Sequence, residues 1–163
     1  MSTRFGIGYD AHPFSAGRGL VLAGVEVPHG QGLAGHSDGD VATHAIIDAL
    51  LGAAALGDIG TRFPPGDPSV PEGVSSIALL ERTAALLREA GWRVENVDAT
   101  IVAERPHLAE HVAAMRSVIA AALGIEVGRV SIKATSEDGM GFTGTGEGIA
   151  AIAVASIDPA AAP

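Results

Sequence analysis

Ser37-Asp38-Gly39-Asp40-Val41-Ala42-Thr43-His44-Ala45-Ile46-Ile47-Asp48-Ala49-Leu50-Leu51 opens a helix that continues to about Leu56. Ser37 reads as its N-cap and Asp40 as the acidic residue at the third helical position. Asp40, His44 and Asp48 follow at i, i+4 and i+8, a spacing that drifts only about 40° around the axis with neighbours roughly 5–6 Å apart. The three line one stripe, while Val41, Ala45, Ala49 and Leu50 face elsewhere. Such a stripe is either a solvated face or one wall of a site.

Upstream, β-branched and alternating stretches mark strands at about Arg4 to Tyr9 and Leu20 to Val27, with a turn over Phe14 to Gly19. Downstream, the Gly- and Pro-rich segment Asp58 to Gly73 is longer than a simple connector and suits a lid or binding loop. A second helix, about Val74 to Ala90, places Ile77, Leu80, Ala84 and Leu87 at helical spacing and stops at Gly91. Trp92 to Val102 is the next strand and Ala109 to Leu123 the third helix, closed by Gly124. Val130 to Ala134 and Ile149 to Ile157 complete the strands. The order ββααβαββ predicts an α/β (α+β) fold, a two-layer sandwich of one mixed sheet packed by helices on one face. No repeat or linker interrupts it, so one domain spans 1–163, with a tail from about 158 expected to be disordered.

The 163 residues are enough for a real core, and a hydrophobic content of 47% with mean hydropathy +0.33 excludes a disordered chain. Aromatics are only 4%, against 22 glycines, so the core is aliphatic and closely packed. A net charge of −9 leaves no basic field for nucleic acid or an anionic membrane. A phosphate ligand would need local positive charge from metal ions, backbone N–H groups or helix N-termini. The absence of cysteine removes disulfides and thiolate ligands and fits a reducing cytoplasm. The N-terminus lacks a signal peptide's apolar stretch, and the run Ala45 to Leu56, broken by Asp48, is too short to span a bilayer.

Three segments carry chemistry. Asp10 and His12, two apart, leave the same face of a strand, and His44 adds a second imidazole. One carboxylate and two imidazoles suit zinc, and three protein ligands leave a fourth position for a substrate oxygen. Each residue alone is more commonly a surface or hydrogen-bonded group. The density of acid, His and Gly from Gly35 to Asp48, followed by Gly57-Asp58-Ile59-Gly60, sits poorly in an apolar core and favours a site. The third segment, Lys133-Ala134-Thr135-Ser136-Glu137-Asp138-Gly139-Met140-Gly141-Phe142-Thr143-Gly144, offers hydroxyl donors and a carboxylate, Asp138 or Glu137, for a hard divalent cation. Taken alone, Asp138-Gly139 is an ordinary turn signal.

Taken in order, Asp10-Ala11-His12, Ala34-Gly35-His36-Ser37-Asp38-Gly39-Asp40-Val41, His44, Asp48 to Gly60, Phe63-Pro64, Lys133-Ala134-Thr135 and Gly141 to Ile149 closely resemble the 2-C-methyl-D-erythritol 2,4-cyclodiphosphate synthase family. The resemblance runs from about Arg4 to Ala155. It implies a homotrimer with sheets around a threefold axis and active sites between subunits. It also implies conversion of 4-diphosphocytidyl-2-C-methyl-D-erythritol 2-phosphate to the cyclic diphosphate plus CMP, in non-mevalonate isoprenoid biosynthesis. By match to the motif, Asp10, His12 and His44 hold Zn2+, with Ala11 between them in the substrate-binding segment. His36 and Ser136 stabilise the transition state, and Ser37 contacts substrate. Asp58-Ile59-Gly60 and Phe63-Pro64-Pro65-Gly66-Asp67 hold the methylerythritol part, and Ala103-Glu104-Arg105-Pro106-His107-Leu108-Ala109 the cytidine. Thr135 and Glu137 flank these groups, and Asp138 falls where the family places a carboxylate for Mg2+ or Mn2+. Phe142 and Thr145 match positions lining a central cavity along the threefold axis.

Three departures stand out. His107 replaces a frequent Lys, Asp138 replaces a frequent Glu beside Glu137, and Thr145 stands where the family commonly has Arg. Two other classes compete with the cyclase: a zinc-dependent phosphohydrolase using a metal-bound water, and a non-catalytic nucleotide or phosphate sensor. Product identity separates the first, and absence of turnover the second.

Overall fold

Along the first strand, β1 (Arg4–Ser15), the even positions are Gly6, Gly8, Asp10 and His12, and the odd ones begin with Phe5, Ile7 and Tyr9. The two faces therefore meet different neighbours. A Cβ on Gly8 would stand 1.9 Å from the carbonyl oxygen of Ala45, and one on Gly6 1.9 Å from that of Ala49. Both carbonyls belong to α1 (Val41–Ala53), so the helix backbone rests directly on the strand backbone. The same face continues into Asp10 and His12, where it meets His44 on α1. On the opposite face Phe5, Ile7 and Tyr9 are 71%, 72% and 57% exposed.

This computed structural model describes residues 2–160. The remaining strands are β2 (Leu20–Leu22), β3 (Val25–Val27), β4 (Gly32–Leu33), β5 (Trp92–Val102), β6 (Val130–Thr135) and β7 (Gly148–Pro159). The other helices are α2 (Ile59–Arg62), α3 (Ser76–Glu89), α4 (Val112–Leu123) and α5 (Gly141–Gly144). A five-stranded sheet runs β4-β1-β7-β5-β6, with β5 and β6 parallel and every other pair antiparallel. It is the mixed sheet expected. Its helix-facing side carries Ile149, Ala151, Ala153, Ala155 and Ile157 of β7 and Val97, Ala99 and Ile101 of β5, all buried. Against them pack Ile46, Leu50, Leu80, Leu87, Met115 and Ile119 from the three long helices. Small alanines on β7 let this layer approach closely, in keeping with the aromatic-poor composition.

The element order differs from ββααβαββ. The described residues give ββββαααβαβαβ, short 3-10 turns aside, because three short elements and one hairpin escape pattern reading. Leu20 to Val27 is two strands paired Leu22 with Val25 around Ala23-Gly24, whose φ values are +48° and +74°. That is the left-handed backbone a two-residue hairpin turn demands. The Asp40 carboxylate holds it, accepting from Ala23 N at 2.8 Å and Gly24 N at 2.7 Å. Asp40 is also the N-cap of α1, accepting from Thr43 N at 3.0 Å, so the helix begins three residues later than a Ser37 cap predicts. β1 runs on to Ser15, shortening the expected Phe14 to Gly19 turn. β7 includes Asp158 and Pro159, so the tail expected to be disordered from about 158 begins as strand; residues 161–163 lie outside the described residues. Among the described residues no helix is long and apolar enough to cross a membrane.

Candidate metal centre and substrate cavities

Asp10, His12 and His44 come together with their ligand atoms within 4.8 Å of one another. The Asp10 Oδ2 atom lies 2.7 Å from His12 Nε2 and 3.1 Å from His44 Nδ1. The two ring nitrogens are 3.3 Å apart. Each ring's other nitrogen has its own partner, and the Ala34 carbonyl, which can only accept, fixes the proton of His12 on Nδ1. His12 Nδ1–H donates to the carbonyl of Ala34, and His44 Nε2 lies 3.0 Å from Ser37 Oγ and 2.9 Å from Ser76 Oγ. With those nitrogens protonated, His12 Nε2 and His44 Nδ1 turn lone pairs toward each other and toward a carboxylate.

Two lone pairs and an anion at such separations repel unless a cation stands among them, so the donor set fits a divalent metal. Three ligands of this kind match a zinc site with an open position. In the metal-free protein a proton on the facing nitrogens takes the cation's place. Burial would raise the Asp10 carboxyl, but hydrogen bonds and charge from His12 and His44 outweigh it and hold the group at about 2. The hydrogen bond to Asp10 in turn raises His12 above its usual range.

Beside this cluster a cavity of about 140 Å³ is lined by His36, Ser37 and His44 on one side and Ile59, Gly60, Phe63 and Pro65 on the other. His36 Nε2 lies 3.0 Å from the carbonyl of Val70, which ties the ring to the same loop. Asp58 caps α2, accepting from Thr61 N at 2.7 Å, and hydrogen bonds from Thr61 lower its pKa. Pro64, Gly66 and Asp67 form the turn that follows, closed by Asp67 N donating to Pro64 O at 3.1 Å. The loop from Asp58 to Gly73 is thus partly helical, and Arg82 braces it by stacking 4.7 Å over the Phe63 ring and donating to Ser69 O at 2.9 Å.

A separate cavity of about 320 Å³ is lined by the whole stretch Ala103 to Ala109 together with Thr135 and Ser136. It sits where β5 and β6 end side by side, Val102 opposite Thr135. Within one chain, then, the matched residues fall into two cavities with the metal cluster beside the first. A third, of about 210 Å³, lies among Ala11, His12, Pro13, Phe142 and Glu147 on the exposed face. Thr145 is exposed nearby in sequence, its hydroxyl donating to Gly141 O at 3.0 Å.

The two adjacent carboxylates are unlike in their surroundings. Both are exposed: Glu137 accepts from the buried hydroxyl of Thr143, and Asp138 from the hydroxyl of Ser136 at 3.2 Å. The polar stripe on α1 is divided: Asp40 is buried under the hairpin, Asp48 accepts from Ile59 N at 2.8 Å, and only His44 joins the centre. Pattern reading missed Ser76, a buried partner of His44, and Arg18, which donates to the carbonyls of Gly35, at 2.7 Å, and Ser37. The adjacent serines at a helix start were the available signal for Ser76.

The YgbB family model matches residues 3–158. A 2-C-methyl-D-erythritol 2,4-cyclodiphosphate synthase from Symbiobacterium thermophilum is 59% identical over 152 residues, covering 93% of this chain and 96% of the relative. One from Syntrophomonas wolfei is 55% identical over 157 residues, covering 96% of this chain and 99% of the relative. Among solved structures, a 2C-methyl-D-erythritol-2,4-cyclodiphosphate synthase in a CDP-bound form superposes with TM-score 0.87 at 32% identity, over 95% of this chain and 100% of that one. The bifunctional IspDF of Campylobacter jejuni superposes with TM-score 0.92 at 38% identity, over 96% of this chain and 42% of that one. By sequence and fold, the chain belongs to the YgbB family, with the 2-C-methyl-D-erythritol 2,4-cyclodiphosphate synthases it matches along nearly its whole length.

Proposed function

We propose that the chain converts 4-diphosphocytidyl-2-C-methyl-D-erythritol 2-phosphate into 2-C-methyl-D-erythritol 2,4-cyclodiphosphate and CMP, in non-mevalonate isoprenoid biosynthesis, as a cytoplasmic homotrimer. The observation that carries this is the convergence of Asp10, His12 and His44 on one point beside the His36–Ser37 cavity, in a chain matched to such a synthase over 96% of its length. Asp10, His12 and His44 hold zinc and Asp138 a second divalent ion, magnesium or manganese, which when bound supply the positive charge that polarises the diphosphate in an otherwise acidic protein.

The reaction is intramolecular. An oxygen of the substrate's 2-phosphate forms a bond to the β-phosphorus, and the bond from that phosphorus to the CMP oxygen breaks. No protein nucleophile is needed, so the chain's own work is positioning and hydrogen bonding. His36 and Ser136 donate to phosphoryl oxygens whose charge grows in the transition state. Phe63 and Ile59 pack on the methylerythritol part, and the Ala103 to Ala109 loop receives the cytidine through backbone groups. The Gly60 to Pro71 segment closes over the sugar and excludes water, which would otherwise compete as nucleophile.

Separation of the two cavities supports assembly of the site from two copies, each giving one half. The face available for assembly is the sheet side opposite the helices. Phe5, Ile7, Tyr9, Ile152 and Val154 are all exposed there, with Ile7 opposite Val154 and Tyr9 opposite Ile152. A contiguous apolar patch of this kind is normally covered, and a closed threefold ring of sheets covers it.

The test is phosphorus NMR of the cytidyl substrate with the chain, with and without chelator. One cyclic diphosphate and one CMP per turnover, without oxygen from labelled water, is the expected result. A ring-opened, labelled phosphate would make the chain a phosphohydrolase, and stoichiometric binding without turnover a sensor.

A further inference from the structure

We propose that Ser76 and Asp38 form a hydrogen-bond relay that fixes the tautomer and aim of His44 as a metal ligand, an inference resting on the zinc reading above. Ser76 is wholly buried at the first turn of α3. The N-cap residue of that helix, Ser75, makes no side-chain cap bond. Asp38 supplies the cap from a distant part of the chain instead: its Oδ2 accepts from Ser76 N at 3.0 Å, and its Oδ1 accepts the Ser76 hydroxyl proton.

The direction of that second bond decides the chemistry at His44. A hydroxyl has one proton, and a carboxylate can only accept. With its proton committed to Asp38, Ser76 Oγ can only accept from His44 Nε2, 2.9 Å away. Nε2 must then carry the hydrogen, and Nδ1 is left as a lone pair facing Asp10 and His12. Ser37 Oγ, 3.0 Å from the same Nε2, imposes no such direction, because its own proton is not committed to a carboxylate. Asp38 is itself anchored, its N–H donating to Val74 O at 3.1 Å and its Oδ1 accepting from Asp40 N at 3.2 Å. The relay therefore ties the start of α3 to the start of α1 and, through His44, to the ligands on β1. A partner that makes an imidazole nitrogen a fixed donor raises the basicity of the other nitrogen and spares the metal the cost of orienting it. Ser76 and Asp38 are positioning residues and touch neither metal nor substrate.

Zinc affinity of the full chain, measured by competition with a chromophoric chelator, tests this without reference to turnover. Ser76→Ala should weaken zinc binding by about tenfold or more. Asp38→Asn should weaken it too, since an amide can donate to Ser76 and free its hydroxyl proton to turn toward His44. In nitrogen-15 spectra of labelled histidines, one ring should hold a fixed Nε2–H in the wild type and become a tautomer mixture in Ser76→Ala, a change that mere loosening of the helix would not produce. Should Ser76→Ala fail to fold, Asp38→Asn against Ser76→Thr, which keeps the hydroxyl, makes the same comparison. Variants lacking the relay that bind zinc within about twofold of wild type, with the tautomer unchanged, overturn the relay and leave the zinc reading intact. A wild-type chain that binds no zinc overturns the reading itself, and the relay with it.

Discussion

Replacing Gly8 with alanine should damage the metal centre from two residues away. The new Cβ would lie 1.9 Å from Ala45 O and 2.8 Å from Ala49 N, where ordinary contact begins at 3.4 Å. Both are backbone atoms of α1, so no side chain can turn aside and the helix must withdraw by about 1.5 Å. His44 is the neighbour of Ala45 and travels with it. Its 3.1 Å approach to Asp10 then opens beyond hydrogen-bond reach, and the three donors no longer close on one ion. Overpacking against rigid backbone costs about 3 kcal/mol, the upper end of the usual range. At a urea slope of about 2 kcal/mol/M this lowers the unfolding midpoint by roughly 1.5 M, measured at fixed chain concentration because assembly contributes. Zinc affinity by chelator competition should fall by about tenfold or more. Gly52→Ala is the control: it lies in the same helix with nothing within 4 Å of its Cβ, and should gain about 0.5–1 kcal/mol with zinc unchanged. A Gly8→Ala protein with wild-type midpoint and wild-type zinc affinity would refute the close-contact account of the site.

Further outcomes follow from the same geometry. His44→Ala and Asp10→Asn should each cut zinc content of the purified chain to below about a tenth of wild type while leaving it folded, as metal analysis and circular dichroism would report. Asp138→Asn should lower turnover by at least about tenfold and raise the magnesium requirement, whereas Glu137→Gln, whose carboxylate is engaged by Thr143, should cost far less. The metal-free protein should respond to pH in two windows. The Asp10 carboxyl, at about 2 against its ordinary 3.8, contributes about 2 kcal/mol that is present above 3.8 and lost as pH falls toward 2. The raised His12 contributes stability that is full below its ordinary 6.5 and is lost as pH rises through its folded value, so melting temperature should fall as that group deprotonates and zinc should abolish that fall. Calorimetric titration should find weak or no binding of geranyl or farnesyl diphosphate to the wild type and a gain of about tenfold or more in Thr145→Arg, because a lone hydroxyl cannot replace a bidentate cation.

Long periodic elements were legible in the sequence. Trp92 to Val102 is a strand over those very residues, and the three long helices, Val41–Ala53, Ser76–Glu89 and Val112–Leu123, lie within the expected spans. What pattern reading could not reach depends on contacts between distant segments. Asp40 looks like a first-turn acid from its neighbours alone; that its carboxylate also accepts the hairpin amides of Ala23 and Gly24 depends on a segment that arrives from elsewhere in the chain. Ser76 lies 32 residues from His44, and no spacing rule links a helix start to an imidazole on another helix. Elements of four residues or fewer, such as α2 and α5, carry too few positions to show a period. The candidate metal triad was visible because two of its members share one strand face.

The place of β7 within the sheet has a consequence for how the chain acquires its shape during synthesis. It follows every other described element along the chain, yet it lies between β1 and β5, pairing Arg4 with Ile157 and Trp92 with Pro159. Until it emerges from the ribosome, β1 has no partner on that side and the helices have only fragments of a floor to settle on. Folding must wait for a contact that spans more than 150 residues, the kind that makes for slow closure and long exposure of sticky intermediates. A nascent chain stalled before Gly148 should therefore be a client for chaperones rather than a half-built enzyme, with β1, which carries Asp10 and His12, lacking its long partner in the sheet.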